Sequence, residues 1–124
     1  KPPLYGDNRS FERAGLAIAV IDAAVHTVIT RQVTAPAPFD DTPIGLRRRR
    51  TMVEAMQRLE QAVQRDCAGR PASQPELDVI AAAVAVDYLQ LRFADAAWRI
   101  ATPALDAWLA EVKRRPAFAD TGPR

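Results

Sequence analysis

The sequence predicts an all-α domain, and three observations support that prediction. Ala, Val, Leu and Ile make up most of a 48% hydrophobic content, whereas aromatic residues account for only 6% and there are 5 glycines. Ala and Leu are strong helix formers. The 10 prolines cluster and leave long proline-free spans, as prolines at helix boundaries do. No segment of the sequence shows the alternation of apolar and polar residues that is typical of strands.

Length, charge and cysteine content narrow the class of protein. A chain of 124 residues is near the commonest domain size and can bury a core without disulfides or metal. A net charge of +2 predicts no nucleic-acid partner. The single cysteine, Cys67, fits a reducing cytoplasm, and a single histidine argues against a metal site. The apolar stretch Leu16–Ile29 contains Asp22 and His26 and is too short to span a bilayer, so we expect no membrane association.

The first two predicted helices flank a proline-rich loop. The first helix is predicted from about Ser10 to Gln32, and its middle is apolar on nearly every side, so it should contact both the core and a partner. The stretch TAPAPFDDTP is predicted to be a loop. The second helix should begin near Pro43, with Asp41 or Thr42 as its cap, and end near Gly69.

The third predicted helix opens with a capping-box pattern. Ser73 would be the cap, with Glu76 three residues later. From Leu77 to Leu91 the only charged residues are Asp78 and Asp87, which predicts the central buried helix.

The end of the chain completes the predicted bundle. The segment Phe93–Ile100 is expected to be a short helix or a turn, and a last helix should begin at Thr102-Pro103. Its buried side would carry Leu105, Trp108, Leu109 and Val112. We therefore expect a bundle of four longer helices and a short one.

Two sets of polar residues have alternative interpretations. Asp22 and His26 are four residues apart and so share one face of the first helix. They form either an acid–base or substrate-contact pair, or a polar pair at an interface, and we favour the interface. The four consecutive arginines 47–50 are either a phosphate-binding patch or a solvated helix start. Consecutive helical residues point around the whole axis, which favours the solvated start.

The second half of the chain contains a series of characteristic residues and short motifs. They lie within the segment LDVIAAAVAVDYLQLRFADAAWRIATPALDAWLAEVKRRPAFADT. They are Asp78, Leu89, Arg92-Phe93, Asp95, Trp98-Arg99, Pro103-Ala-Leu105, Trp108, Arg115-Pro116-Ala-Phe118 and Thr121. Their order and spacing resemble the C-terminal all-helical domain of bacterial glutathione transferases. The segments 17–25 and 46–63 resemble the family's two preceding helices more loosely. The resemblance covers nearly the whole chain.

The resemblance implies an architecture and partners. Residues 1–124 would be one helical domain, with residues 1–8 as the end of a linker from an N-terminal thioredoxin-like domain that lies outside this chain. That domain would bind glutathione as co-substrate and activate its thiol, so no catalytic residue is expected here. The helical domain would supply the pocket for an electrophile and help to form a homodimer.

The resemblance also implies roles for particular residues. Ile18, Asp22 and His26 become candidates for the electrophile pocket, although the family often has an acid where this chain has Ile18. Asp78 would be a buried structural helix cap that accepts backbone N–H bonds. Pro75 stands where the family usually has the capping Ser or Thr, so Ser73 is expected to cap instead.

Two other kinds of function are compatible with the same sequence. One is a free-standing, non-catalytic transferase-like module that binds a protein partner. The other is a helical ligand-binding protein with its first and third helices as pocket walls. The reading frame upstream of Lys1 separates these from the transferase, because only the transferase requires a thioredoxin-like domain there.

Overall fold

A computed structural model describes residues 8–67 and 77–114, and that part of the chain forms four α-helices and a 3₁₀ helix. The α-helices are α1 (Asn8–Thr34), α2 (Pro43–Cys67), α3 (Leu77–Phe93) and α4 (Pro103–Lys113). The 3₁₀ helix, Phe39–Asp41, lies between α1 and α2. The described ranges contain no strand, so the all-α prediction and the four longer helices are confirmed.

Of the two structures predicted for Phe93–Ile100, a short helix or a turn, the chain forms turns, and its short helix lies elsewhere. The segment Phe93–Ile100 forms turns, in which the amide of Ala96 donates to the Phe93 carbonyl at 3.1 Å. The short helix lies instead in the predicted proline-rich loop. There the Phe39 side chain is buried, and the Thr42 hydroxyl donates to the Phe39 carbonyl at 2.6 Å. Burial of this one aromatic side chain folds the loop back onto the bundle.

The start of α2 agrees with the sequence analysis, and its end cannot be compared. The Gly45 amide donates to the Thr42 hydroxyl at 3.1 Å, so Thr42 rather than Asp41 caps the helix. The predicted end near Gly69 and the predicted capping box Ser73–Glu76 lie outside the described residues.

The helices pack around a core of small and branched side chains. Ion pairs link the start of α1 to the end of α2, so these helices are antiparallel. The starts of α1 and α3 meet through Arg13 and Asp78, and their ends meet where Arg31 lies over the Phe93 ring, so these two helices are parallel. The predicted buried residues of α4 all lie in the core, namely Leu105, Trp108, Leu109 and Val112.

Candidate functional site

One side of α1 is exposed and largely apolar. Residues three or four positions apart share a side of a helix. The side in question, called the α1 face below, carries Phe11, Gly15, Ile18, Asp22, Val25, His26, Ile29 and Val33. Four of its large apolar side chains are at least half exposed, namely Phe11, Ile18, Ile29 and Val33. The structure therefore places all three predicted pocket residues on one surface, together with apolar neighbours that the prediction did not include.

Asp22 and His26 share this surface without bonding to each other. Both side chains are exposed. The Nδ1 atom of His26 is 3.5 Å from the Thr30 hydroxyl, and the imidazole lies 6.4 Å from the Phe39 ring, centroid to centroid. The Asp22 carboxylate therefore does not orient the imidazole within this chain, and the pair does not form an acid–base dyad here.

Gly15 lies in the interior of α1 with open space beside it. A Cβ atom built at this position has no heavy atom within 4 Å outside its own helix turn. Glycine in a helix interior is less stable than alanine by about 0.5–1 kcal/mol. Gly15 is exposed, and no described residue lies where a side chain at this position would project.

Asp78 is buried, as predicted, and its described hydrogen-bond partner is a side chain of α1. Its side chain is 2% exposed, and Oδ2 accepts a hydrogen bond from Arg13 Nε at 2.9 Å. Oδ1 is buried, and no described residue forms a hydrogen bond with it. Among the described residues the Asp78 carboxylate is held by a salt bridge between α1 and α3, and its role as a helix cap stays a prediction. Ser73 lies outside the described residues, so its role as a cap stays a prediction.

Arg13, which the sequence analysis missed, is the centre of an ion network. Its NH1 atom also donates to Asp66 at 2.9 Å, and its guanidinium carbon lies 6.0 Å from the centre of the Trp108 ring. Burial lowers the pKa of Arg13, but its hydrogen bond to Asp78 and the nearby negative charges outweigh that effect, so the pKa is raised. The network involves α1, α2, α3 and the packing surface of α4.

Asp66 accepts hydrogen bonds from several arginines of this network. Arg65 donates to it at 2.8 and 2.9 Å, and Arg9 approaches at 3.1 Å. The hydrogen bonds from Arg65 are the largest effect on the carboxyl, with the charges of Arg9 and Arg13 adding to them against the opposing effect of burial. Together they lower the pKa of Asp66 to about 2.

Glu60 of α2 is a second structural carboxylate. It is buried, and its two oxygens accept the backbone amides of Ala104 at 2.9 Å and Leu105 at 2.8 Å. A side chain of α2 thus caps the start of α4, where free amides and the helix dipole favour a negative charge. No local pattern reveals it, because the acid and the amides are more than 40 residues apart.

The third helix is not buried on all sides as predicted. One stripe of α3, called the α3 stripe below, is exposed. Its members are Leu77, Ile80, Val84 and Leu91. Asp87 lies at the same spacing and pairs with Lys113 of α4 at 3.1 Å. The opposite side of the helix, with Ala82, Ala85 and Leu89, is in the core. The described part of the molecule therefore presents two exposed apolar surfaces, one on α1 and one on α3.

Metal binding and membrane association are two further functions to consider for the described ranges. Within them, no group of three His, Cys, Asp or Glu side chains is placed to hold a metal ion. The segment Arg9–Thr34 is long and apolar enough to cross a membrane by length and composition alone. The same segment packs against both α2 and α3, and it buries Ala17, Val20 and Ala24 completely. A core helix with one exposed apolar side accounts for that composition.

The described residues thus form a helical bundle with two exposed apolar surfaces, the α1 face and the α3 stripe. No protein-family model matches the chain, and no curated protein sequence matches it. It is similar to the crystal structure of a glutathione transferase family member from Pseudomonas fluorescens Pf-5 with bound S-(propanoic acid)-glutathione. The TM-score is 0.68 at 28% sequence identity, and the match covers 99% of this chain and 62% of that chain. The chain therefore spans less than two-thirds of that protein's length. The resemblance to a glutathione transferase helical domain is confirmed.

Proposed function

We propose that this chain is the helical half of a two-domain glutathione transferase. The observation that carries the proposal is the match of 99% of this chain to only 62% of a family member that holds a glutathione conjugate. In the whole protein a thioredoxin-like domain would bind glutathione and lower the pKa of its thiol. The thiolate would then attack an electrophile. A cytoplasmic location, where glutathione is abundant and Cys67 stays reduced, belongs to the same proposal.

The α3 stripe is the surface that we assign to the second domain. Its four large side chains are spaced by three, four and seven residues and face outward. Contiguous exposed apolar patches of more than a few hundred Å² are uncommon on monomers and mark contact surfaces. Docking of the thioredoxin-like domain would remove this stripe from water.

The electrophile would bind at the end of the bundle where the second domain meets both helices. The salt bridge between Arg13 and Asp78 brings the starts of α1 and α3 together. Phe11 and Leu77, both exposed, lie at these two starts and offer an apolar wall to an aromatic or alkyl electrophile. Of the residues predicted from sequence, Ile18 extends this wall. Asp22 and His26, further along the α1 face, are available to the electrophile or to a second subunit of a homodimer.

The proposal is tested by comparing this chain with the longer protein that its reading frame encodes. Conjugation of glutathione to a generic aromatic electrophile should occur with the longer protein and be absent with residues 1–124 alone. A Phe11→Ala variant of the longer protein should raise KM for the electrophile by roughly tenfold, while KM for glutathione stays unchanged. Turnover by the isolated chain above that of a boiled control would contradict the proposal that the thioredoxin-like domain is needed to activate glutathione.

The alternative, a non-catalytic interaction module, is favoured by one specific observation. Ile18 is apolar and half exposed at a position where the family often has an acid. An upstream reading frame without a βαβ…ββα thioredoxin-like pattern would select the module and reject the transferase.

A further inference from the structure

The loop between α1 and α2 surrounds an open cavity of about 270 Å³. This cavity, called the loop cavity below, is lined by Thr34, Ala37, Pro38, Phe39, Asp41 and Thr42. A helix rises about 1.5 Å per residue, so Thr34 lies roughly 35 Å along α1 from Phe11. The loop cavity is therefore separate from the proposed electrophile wall.

The lining of the loop cavity has no free hydrogen-bond donor. Four of its amides donate to nearby carbonyl groups at 2.9–3.1 Å, namely those of Ala37, Phe39, Asp41 and Thr42. Pro38 has no N–H group, and the Thr34 amide belongs to the last turn of α1. The Thr34 hydroxyl donates to the Thr30 carbonyl at 2.8 Å. The Thr42 hydroxyl donates to the Phe39 carbonyl at 2.6 Å. The described lining thus presents only acceptors to a ligand.

Asp41 is the charged residue of the loop cavity. Its neighbour Asp40 is already paired, because it accepts a hydrogen bond from Arg31 Nε at 2.7 Å. Asp41 is exposed, and no described side chain, the arginines 47–50 included, forms a hydrogen bond or an ion pair with its carboxylate. An unpaired carboxylate beside an apolar cavity without donors matches a ligand that combines a cation with an apolar group.

We propose that the loop cavity binds a small primary alkylammonium ion, whose apolar group occupies the cavity while its ammonium group donates to the Asp41 carboxylate. An ammonium group has three donors and no acceptor, which complements a lining of acceptors. Ala37, Pro38 and Phe39 supply apolar contacts. The volume lies just below the range of about 300–1,000 Å³ for drug-sized ligands, so a hydrocarbon group of about six carbons is the expected size. A ligand that carries a carboxylate, such as an amino acid, would be repelled by Asp41 and would find no N–H donor.

An NMR titration of the ¹⁵N-labelled chain with cyclohexylammonium chloride, at neutral pH and constant ionic strength, tests this site. Amide shifts should change mainly at residues 34, 37, 39, 41 and 42. Dissociation on the order of 1–10 mM is expected for a small ligand held by one exposed ion pair. Cyclohexanol has the same ring without the charge and should bind at least roughly tenfold more weakly. Cyclohexanecarboxylate should leave these amides unshifted.

Two variants separate the charge from the cavity. Asp41→Asn keeps the size of the side chain and removes its charge, so binding of cyclohexylammonium should weaken roughly tenfold. Ala37→Leu fills the cavity and should abolish the shifts. Both positions are exposed and Thr42 caps α2, so both variants should keep the wild-type helix content by circular dichroism. Asp95→Asn, at an exposed turn elsewhere, is the matched control and should bind as wild type does.

Equal binding of cyclohexylammonium and cyclohexanol, or unchanged binding in Asp41→Asn, would overturn the cation site. Shifts confined to residues outside the loop cavity, or no shifts at ligand concentrations well above the expected range, would overturn the cavity as a binding site. Tighter binding of cyclohexanecarboxylate would assign this end of the bundle to anions through the arginines 47–50 and equally reject the proposal.

Discussion

Arg13 is the residue on which most of the helix contacts converge. Its guanidinium donates to Asp66 of α2 and Asp78 of α3 and lies near the Trp108 ring of α4. A guanidinium has five donors in a fixed planar arrangement, which suits contacts with two carboxylates at once. A buried pair of this kind is strongly destabilising to break, because removal of one partner leaves the other charge buried.

Removal of the Asp78 carboxylate should therefore destabilise the fold much more than removal of Asp22. Asp78→Ala leaves Arg13 partly unpaired in a buried site and should cost about 3 kcal/mol. Asp22 is exposed in mid-helix with no hydrogen bond in the described chain, so Asp22→Ala should stay within about 0.5 kcal/mol of wild type. Urea unfolding at low protein concentration measures both, and equal stabilities would contradict the structural role of Asp78.

Glu60 gives a second test at the scale of one residue. Glu60→Gln keeps the size of the side chain but offers only one acceptor oxygen to the amides of Ala104 and Leu105, so we expect a loss of about 1–3 kcal/mol. Glu54→Gln is the matched control on the exposed side of the same helix and should change stability by less than about 0.5 kcal/mol. A neutral Glu60→Gln would show that the start of α4 does not depend on this carboxylate.

The lowered pKa of Asp66 predicts how the free energy of unfolding depends on pH. Its pKa in the folded chain is lowered from its ordinary value of 3.8 to about 2, so its ionised form stabilises the fold. That stability is fully present above pH 4 or so and is lost as the pH falls toward about 2. Over this window the free energy of unfolding should fall less steeply in Asp66→Asn than in wild type. Parallel curves would contradict the network around Asp66, and Asp95→Asn, at an exposed turn, serves as the control.

At the scale of elements, the two glycines in described helices should respond in opposite ways to alanine. A Cβ at Gly45 would lie 2.1 Å from the Phe39 carbonyl oxygen, so Gly45→Ala must push the 3₁₀ helix away from α2 and should cost about 1–3 kcal/mol. Gly15 has open space, so Gly15→Ala should stabilise the monomer by about 0.5–1 kcal/mol. Thermal unfolding of dilute protein checks both, and changes of the same sign would contradict the packing described for one of them.

The elements themselves were largely predictable because their signals are local. Proline positions and apolar spacing predicted α1, the start of α2 and the start of α4 within a few residues, and Thr42 was one of the two caps predicted for α2. The 3₁₀ helix was missed because its cause is the burial of Phe39 against distant residues. The exposure of the α3 stripe was missed as well, since a helix that is apolar all round does not reveal which side meets its own core.

The site was less predictable than the fold, and the reason is distance along the chain. Spacing alone placed Asp22 and His26 on one face with Ile18, as the structure shows. Arg13 and Asp78, by contrast, are 65 positions apart, and only the folded packing brings them together. The open space beside Gly15 is also known only from the folded structure. The sequence does not show whether a side chain at this position would contact another residue.

At the scale of the whole molecule, two exposed apolar surfaces are assigned to two different partners. The α3 stripe is assigned to a second domain of the same protein. The α1 face carries Phe11 and Ile18 of the proposed electrophile wall, and its far end is assigned to a second subunit. In the complete protein the two contacts would form together, so the dimer should become tighter when the second domain is present. In sedimentation experiments, the dissociation constant of the dimer should be at least roughly tenfold lower for the longer protein than for residues 1–124. An unchanged constant would mean that the second domain adds nothing to the dimer.

The most direct test of the helical-half assignment is calorimetric titration with S-(propanoic acid)-glutathione, the conjugate bound by the related Pseudomonas protein. The longer protein should bind one conjugate per subunit, and residues 1–124 alone should show no heat of binding at the same concentrations. Binding by the isolated chain, or failure of a folded longer protein to bind, would contradict the proposal that this chain is one half of a glutathione transferase.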